Sequence, residues 1–273
     1  MPLDPKSNKK SEDAEPKKPS AKILDQEIQE GRTAIEGSTL RLFFSGLSAG
    51  LDIGFSAFMV AVMQTVADGQ LPKPVVAILT ANMYSVGFIF VVLGRSELFT
   101  EQTTLAALPV LDRRSSLSGL LRLWGVVYVA NLVGTAIFAW LMLLVGPPSG
   151  SIAPHILGEL AKANSDHPAS VIFLSALFAG WLMGLLGWLV TASRDTISQL
   201  VLVWLIASLI GFAHLRHVIV GSVQMFAALY AGLSTPSAVG HFMLWTTLGN
   251  IVGGSVFVAL VKYGHAGWAD NST

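Results

Sequence analysis

The sequence predicts an all-α integral membrane protein with six transmembrane helices arranged as a 3+3 inverted repeat, in which helices 2 and 5 are broken. Three observations lead there. Hydrophobic residues make up 52% of the 273 and charged residues 12%, with a mean hydropathy of +0.61, far from the composition of a soluble domain. Residues 45–54 (SGLSAGLDIG) and 175–184 (SALFAGWLMG) share the pattern S-x-L-x-A-G-x-x-x-G at an offset of 130 positions. Residues 131–138 (NLVGTAIF) and 250–257 (NIVGGSVF) share N-[LI]-V-G-x-x-[IV]-F at an offset of 119. Three crossings per copy turn the second copy upside down relative to the first, the plan of many transporters and channels.

Before the first apolar segment lies a tail, residues 1–38, rich in Lys, Glu, Pro and Ser. Its part before Ser20 is expected to be disordered, while Ile23, Leu24, Ile28 and Ile35 form the apolar face of a short interfacial helix. The tail has no apolar core of signal-peptide type. The spans follow at residues 40–66, 75–93, 117–145, 171–192, 200–232 and 242–261, each near the roughly 20 residues a bilayer requires. Together they give a membrane domain over residues 39–265, followed by a short tail, 266–273. The connection 146–168, with Pro147, Pro148, Pro154, His155 and His167, reads as an external loop.

Lys and Arg favour the cytoplasmic ends of membrane helices. They crowd the N-terminal tail and recur as Arg113, Arg114 and Arg194 in the second and fourth connections, whereas the opposite connections hold only Lys73 and Lys162. Both termini are therefore expected in the cytoplasm, with the chain in a cell or inner membrane. A zero formal net charge implies no nucleic-acid surface. The chain has no cysteine, which removes disulfide and thiol chemistry.

Unpaired backbone in hydrocarbon costs several kcal/mol per group unless it lines a cavity or is buried by protein, so a pathway is sought where helices break. Two places qualify: GRSELFTE at 94–101 and GFAHLRHVIVGS at 211–222. They occupy corresponding positions in the two copies, which points to a site near the midplane. His214 and His217, three apart, would share a face of a regular helix; a metal pair there lacks a third ligand, and no metal or other cofactor is expected. Glycines at 46, 50, 54, 180, 184, 187, 249, 253 and 254 form stripes that let helices approach closely. No nucleophile elbow, zinc-binding helix or phosphate loop appears, so the chain is not read as an enzyme.

The strings Gly94-x-x-x-Leu98-Phe99-Thr100, His217-x-Ile219-x-Gly221-Ser222 and Gly249-Asn250-Ile251-x-Gly253-Gly254 resemble the formate/nitrite transporter family over residues 40–264. RHVIVGSVQ, RLWGVV and LFTEQT look most like its YfdC-like branch. The resemblance implies an aquaporin-like fold, a homopentamer in the lipid bilayer, and a pore in each protomer for a small anion such as formate, nitrite, hydrosulfide or lactate. Carried over by position, the central pore histidine is His217 and the loop threonine Thr100; constriction side chains are Tyr84 and Phe88, with Leu98, Phe99 and Ile210 nearby. This chain departs from the family at Arg216, where a Glu is usual, at Gly180, where an Asn is common, and at Gly221-Ser222 in place of Asn-Met. A non-conducting scaffold and a pore for neutral solutes are the alternative readings.

A bare anion loses its hydration in an apolar ring, whereas its neutral acid loses far less. A histidine that donates a proton as the anion arrives lowers that barrier. Arg216 costs about 2.5–3.5 kcal/mol at a helix centre, so it is expected either to pair with Asp52, itself about twelve residues inside the first span, or to face a vestibule.

Overall fold

The computed structural model describes residues 17–269, so residues 1–16, most of the stretch expected to be disordered, lie outside it, as do 270–273. Among the described residues every regular element is helical. The chain runs through α1 (Ser20–Glu36), α2 (Thr39–Ala67), α3 (Lys73–Gly94), the short α4 (Phe99–Leu105) and α5 (Leu108–Leu111), and α6 (Leu117–Val145). It continues through α7 (Pro154–Ser165), α8 (Ala169–Ala192), α9 (Thr196–Phe212), α10 (Val218–Tyr230) and α11 (Pro236–Val252), and ends in a π-helical stretch (Gly253–Leu260) and α12 (Val261–Ala269). Among the described residues, five helices are long and apolar enough to cross a membrane: α2, α3, α6, α8 and the run Pro236–Ala266. The stretch 200–232, read above as one interrupted span, is divided between α9 and α10.

Helix starts follow local chemistry. Ser38, Ser116, Asp195 and Thr235 accept from the backbone N–H three residues on, which satisfies donors the helix itself cannot. Pro opens α3, α7 and α11, where its missing N–H costs nothing. α7 corrects the reading of 146–168 as loop throughout. Ile156, Leu157, Leu160 and Ala161 are buried and lie at helical spacing, so the segment has a face to bury and folds on it.

The four apolar residues of α1 are buried. Ile23, Leu24 and Ile28 pack with Leu108 of α5, Trp188 of α8 and Ala259 of the π stretch. At Gly31 a Cβ would lie 2.1 Å from the Leu105 carbonyl oxygen, so α1 lies directly on the end of α4.

α2 packs on both α3 and α6, α8 packs on α11, and α3 meets α9. The short helices cross over: α4 packs on α8, and α10 on α6. The glycine stripes mark the closest approaches. A Cβ on Gly50 would stand 2.3 Å from the Asn131 carbonyl oxygen and one on Gly180 2.3 Å from that of Asn250. Reciprocally, Gly134 faces Leu47 O and Gly253 faces Leu177 O. The two copies therefore make the same contacts with the same residues.

They part at the π stretch. In the first copy Phe138 sits over Gly54. Its counterpart Phe257 instead packs on Trp181, with ring centroids 4.9 Å apart, and Val258 covers Gly184. A π-bulge inserts one residue into the helical repeat, which accounts for a register shift of one between Phe257 and Val258. Hydrogen bonds with α4 stabilise the distortion: Thr104 Oγ1 of α4 donates to Gly254 O at 3.0 Å, and Ser255 Oγ of the π stretch donates to Thr103 O at 2.8 Å.

Overpacking a filled contact costs about 1–3 kcal/mol. Gly180→Leu is expected to lower the thermal midpoint of the detergent-solubilised protein by several degrees. Gly240→Ala, where added atoms meet nothing within 4 Å, leaves it unchanged.

Candidate functional site

Both breaks are built the same way. α3 ends at Arg95 and α9 just before His214, residues whose φ values of 56° and 51° are left-handed, a conformation costly for any residue with a Cβ. In each, the next N–H reaches back to close the helix end, Ser96 N to Val91 O and Leu215 N to Ile210 O. The left-handed turn takes His214 out of helical geometry, so it shares no helix face with His217. Among the described residues no group of three metal-ligating side chains forms.

The chain between the helix ends is held by an asparagine from the next long helix. Asn131 Oδ1 accepts from Phe99 N at 2.9 Å, and its Nδ2 donates to Gly46 O at 2.7 Å and Glu97 O at 3.0 Å. Asn250 Oδ1 accepts from Val218 N at 2.9 Å, and its Nδ2 donates to Ala176 O at 2.7 Å and Arg216 O at 3.0 Å. Ser45 and Ser175 complete each clamp by accepting from Glu97 N and Arg216 N. Asn131 and Asn250 have no exposed surface. Sequence reasoning found all four residues as repeat signatures and gave them no role in the site.

The clamps bring the two breaks together. His217 caps α10, its Nδ1 accepting from Val220 N at 3.3 Å. In the neutral ring the proton then sits on Nε2, which donates to Thr100 Oγ1 at 2.6 Å. The Phe88 ring lies edge-on to the imidazole at 5.1 Å and within 5.5 Å of Tyr84.

Two cavities approach this contact from opposite faces. One, about 570 Å³, is lined by Tyr84, Ile210, His214, His217, Gln224 and α7 among others. The other, about 420 Å³, is lined by α1, Arg41, the Arg95–Glu97 turn, Glu101, Gln102 and Thr104 among others. Thr100, Phe88 and Leu98 have no exposed surface and line neither cavity, so they form a closed layer between them. Phe99 lies elsewhere: it packs on Tyr128 and Trp124 of α6 and lines neither cavity.

Arg216 and Asp52 are not brought together. Asp52 accepts from Ser48 Oγ at 3.2 Å. Arg216 is 7% exposed and donates to Ala163 O, Asn164 O, Ser175 Oγ and His167 Nδ1 at 2.8–3.2 Å. It is outside the lining of both cavities. The guanidinium is satisfied by carbonyl oxygens and an imidazole, so it needs no carboxylate and fastens α7 to the second break.

At the edge of the other cavity Glu27 of α1 is 2% exposed and accepts from Thr191 Oγ1 at 2.6 Å. Burial pushes its carboxyl up to about 7, against the pull of the Thr191 hydroxyl.

A family model described as "Formate/nitrite transporter" matches residues 21–264. The chain belongs to the formate/nitrite transporter family. It is 31% identical to the inner membrane protein YfdC of Escherichia coli K12 over 86% of this chain and 75% of that one. It is 27% identical to the nitrite transporter NirC of Salmonella typhimurium over 81% of each. Among solved structures, a pentameric formate channel with formate bound superposes with a TM-score of 0.71 at 25% identity, over 86% of this chain and 98% of the other. A second family channel gives 0.80 at 21% identity over 89% and 98%, a likeness of fold. The family is one of membrane transporters and channels, and the chain is not an enzyme.

Leaving a buried donor or acceptor unpaired costs about 1–3 kcal/mol. Asn250→Asp sets a carboxylate against the carbonyls of Ala176 and Arg216 and is expected to abolish folded protein in detergent, whereas Ser175→Ala costs only about 1 kcal/mol in thermal unfolding. Arg216→Met frees the carbonyls of residues 163 and 164, and amide exchange across α7 should rise at least about tenfold while α2 is unaffected.

The Glu27 carboxyl binds its proton more tightly folded than unfolded, so stability falls as pH rises from about 4.5 to about 7 and is level above. Exchange across α1 is expected to follow that slope, and Glu27→Gln to remove it.

Proposed function

We propose that the chain is a channel or proton-coupled transporter for small monovalent anions and their weak acids, of the formate, nitrite, hydrosulfide or lactate class. The observation that carries this reading is the Thr100–His217 hydrogen bond of 2.6 Å, set in a closed layer between cavities on opposite faces. His217 is the proton donor: as an anion reaches the layer the ring takes a second proton on Nδ1 from the cavity it lines, releasing Val220 N, then gives its Nε2 proton to the anion in place of Thr100 and returns to neutral, so the anion crosses as the neutral acid and avoids the cost of a bare charge among Phe88, Leu98 and Tyr84. Thr100 holds the ring when no substrate is there. Tyr84 and Ile210 narrow the approach from the α7 side.

The chain crosses the membrane six times as two inverted copies of α2–α6 and α8–α12, with α3/α4 and α9/α10 as broken spans. Residues 39–265 form the transport domain between two cytoplasmic tails, and the protein sits in the inner membrane as a homopentamer. Supporting the assembly and the substrate class is the likeness to the pentameric formate channel; supporting the orientation are Arg113, Arg114 and Arg194 in the connections on the side of α1. Large apolar side chains such as Phe44, Trp140, Leu144 and Ile197 are exposed on the long helices, a surface that suits lipid and subunit contacts.

Purified protein in proteoliposomes is expected to take up at least one small weak-acid anion faster with an inward proton gradient. His217→Asn, which keeps a capping acceptor without a transferable proton, is expected to reduce that flux about a hundredfold. Flux that ignores both gradient and variant would indicate a neutral-solute pore. No flux for any anion, from a folded oligomer, would indicate a scaffold.

A further inference from the structure

His217 at the cap of α10, and Gly221 and Gln224 within it, all line the cavity on the α7 side. Gln224 stands seven residues beyond the histidine, two turns along the same face and about 10 Å further along the axis. It is 7% exposed, and one end of its amide is occupied: Oε1 accepts from Asn164 Nδ2 at 2.6 Å. Asn164 Nδ2 also donates to Leu160 O at 3.0 Å. Turning the asparagine round would set its oxygen against that carbonyl, so neither amide can be reversed. Gln224 therefore points its nitrogen away from α7. Among the described residues that Nε2 makes no hydrogen bond, and it keeps accessible surface where Gln224 lines the cavity.

Arg216 lies behind this arrangement. Its Nε and Nη2 hold the carbonyls of Asn164 and Ala163 at 2.9 and 2.8 Å, so the guanidinium that fastens α7 also fixes the asparagine that orients Gln224. A second donor is free on the same lining. Tyr84 of α3 is 9% exposed, and its hydroxyl is accessible and without a hydrogen bond among the described residues. The charged side chains on the lining are Lys73, Glu159 and Asp68, the last bonded to His155 Nε2 at 3.1 Å. All three are exposed, as is His214, so the buried part of the lining presents donors without a fixed charge. A buried donor left unpaired is costly, and these two are placed for an acceptor that enters the cavity.

We propose that Gln224 Nε2, with Tyr84 Oη, forms a receiving site for the oxygen atoms of a small oxyanion such as a carboxylate or nitrite, met before His217. The inference rests on the reading of the chain as an anion pathway and adds where the anion is first held and by which atoms. A hydrogen bond donated to an anion is stronger than one to a neutral acceptor, whereas an ammonium finds nothing at Nε2 to accept from it. Sulfur is a weaker acceptor than oxygen, so the site favours carboxylates and nitrite over hydrosulfide. An uncharged donor also holds the anion loosely enough to pass it on.

Protein carrying isotope-labelled glutamine, in nanodiscs, reads the site without transport; the Gln224 side-chain signal is the one lost in Gln224→Met. Sodium formate and sodium nitrite, at constant ionic strength, are expected to shift that signal saturably, and sodium hydrosulfide to need a several-fold higher concentration. No saturable shift with formate or nitrite overturns the site. Saturation by all three at equal concentrations overturns its preference for oxygen.

In proteoliposomes with the α7 face outward, Gln224→Met is expected to raise the KM for formate about tenfold and to leave the maximal rate within about twofold. Tyr84→Phe, which removes one oxygen atom, is expected to raise that KM several-fold. A glutamine that only braced α7 would give a lower maximal rate or less folded protein at an unchanged KM; that result, or unchanged kinetics, overturns the site. Flux without a saturable shift overturns the site and leaves the transport reading. A saturable shift without flux for any anion overturns the transport reading and leaves the site.

Discussion

Two buried asparagine side chains hold this structure in its working shape. A broken helix in a membrane exposes N–H and C=O groups that no lipid can satisfy, and each break here is repaired by one amide that accepts from the restarting helix and donates to the carbonyl just before it. The third bond of each amide, to Gly46 O or Ala176 O, ties the repair to the neighbouring long helix. Asparagine suits the place because it offers an acceptor and two donors from one short, uncharged group. A carboxylate would lack the donors and a serine the reach.

From that clamp the rest follows. The amides can touch the break backbone only if the long helices pass at van der Waals distance, which is why Gly50 and Gly180 stand where any Cβ would strike the clamp residue's own carbonyl. With the breaks fixed, Leu98 and His217 become the residues that begin α4 and α10, and Thr100 meets His217 across the junction. Held at both ring nitrogens, the imidazole has a fixed orientation at the junction of the two breaks.

The repeat was legible as a pattern, because Ser, Gly and Asn recur at fixed offsets, and the positions of both breaks could be read from charged, glycine-led strings in apolar surroundings. Why those residue types recur was not legible, since the bonds they make span 32 to 85 residues. Phe99 was placed near the constriction by resemblance to the family, yet one step along a helix turns a side chain by about 100° and sends it toward Tyr128. Arg216 and Asp52 invited pairing because each is costly alone. The structure instead spends Arg216 on backbone carbonyls of α7, a helix hidden in a stretch rich in Pro and polar residues. The π stretch left no sign in the sequence; it shows only as the one-residue slip that gives Gly184 to Val258 in place of Phe257.

The two copies share a backbone plan but differ in chemistry at the same points. Glu97 and Arg216 occupy equivalent places, with their N–H groups on Ser45 and Ser175 and their carbonyls on Asn131 and Asn250, yet they carry opposite charges. One faces a cavity with an arginine and an amide beside it; the other is withdrawn among carbonyls. At the next position a leucine, which cannot cap, stands opposite a histidine, which does. A symmetric scaffold fixes the distance between the half-helices, and the departures from symmetry give the two capping positions different chemistry: only one of them can hold a proton.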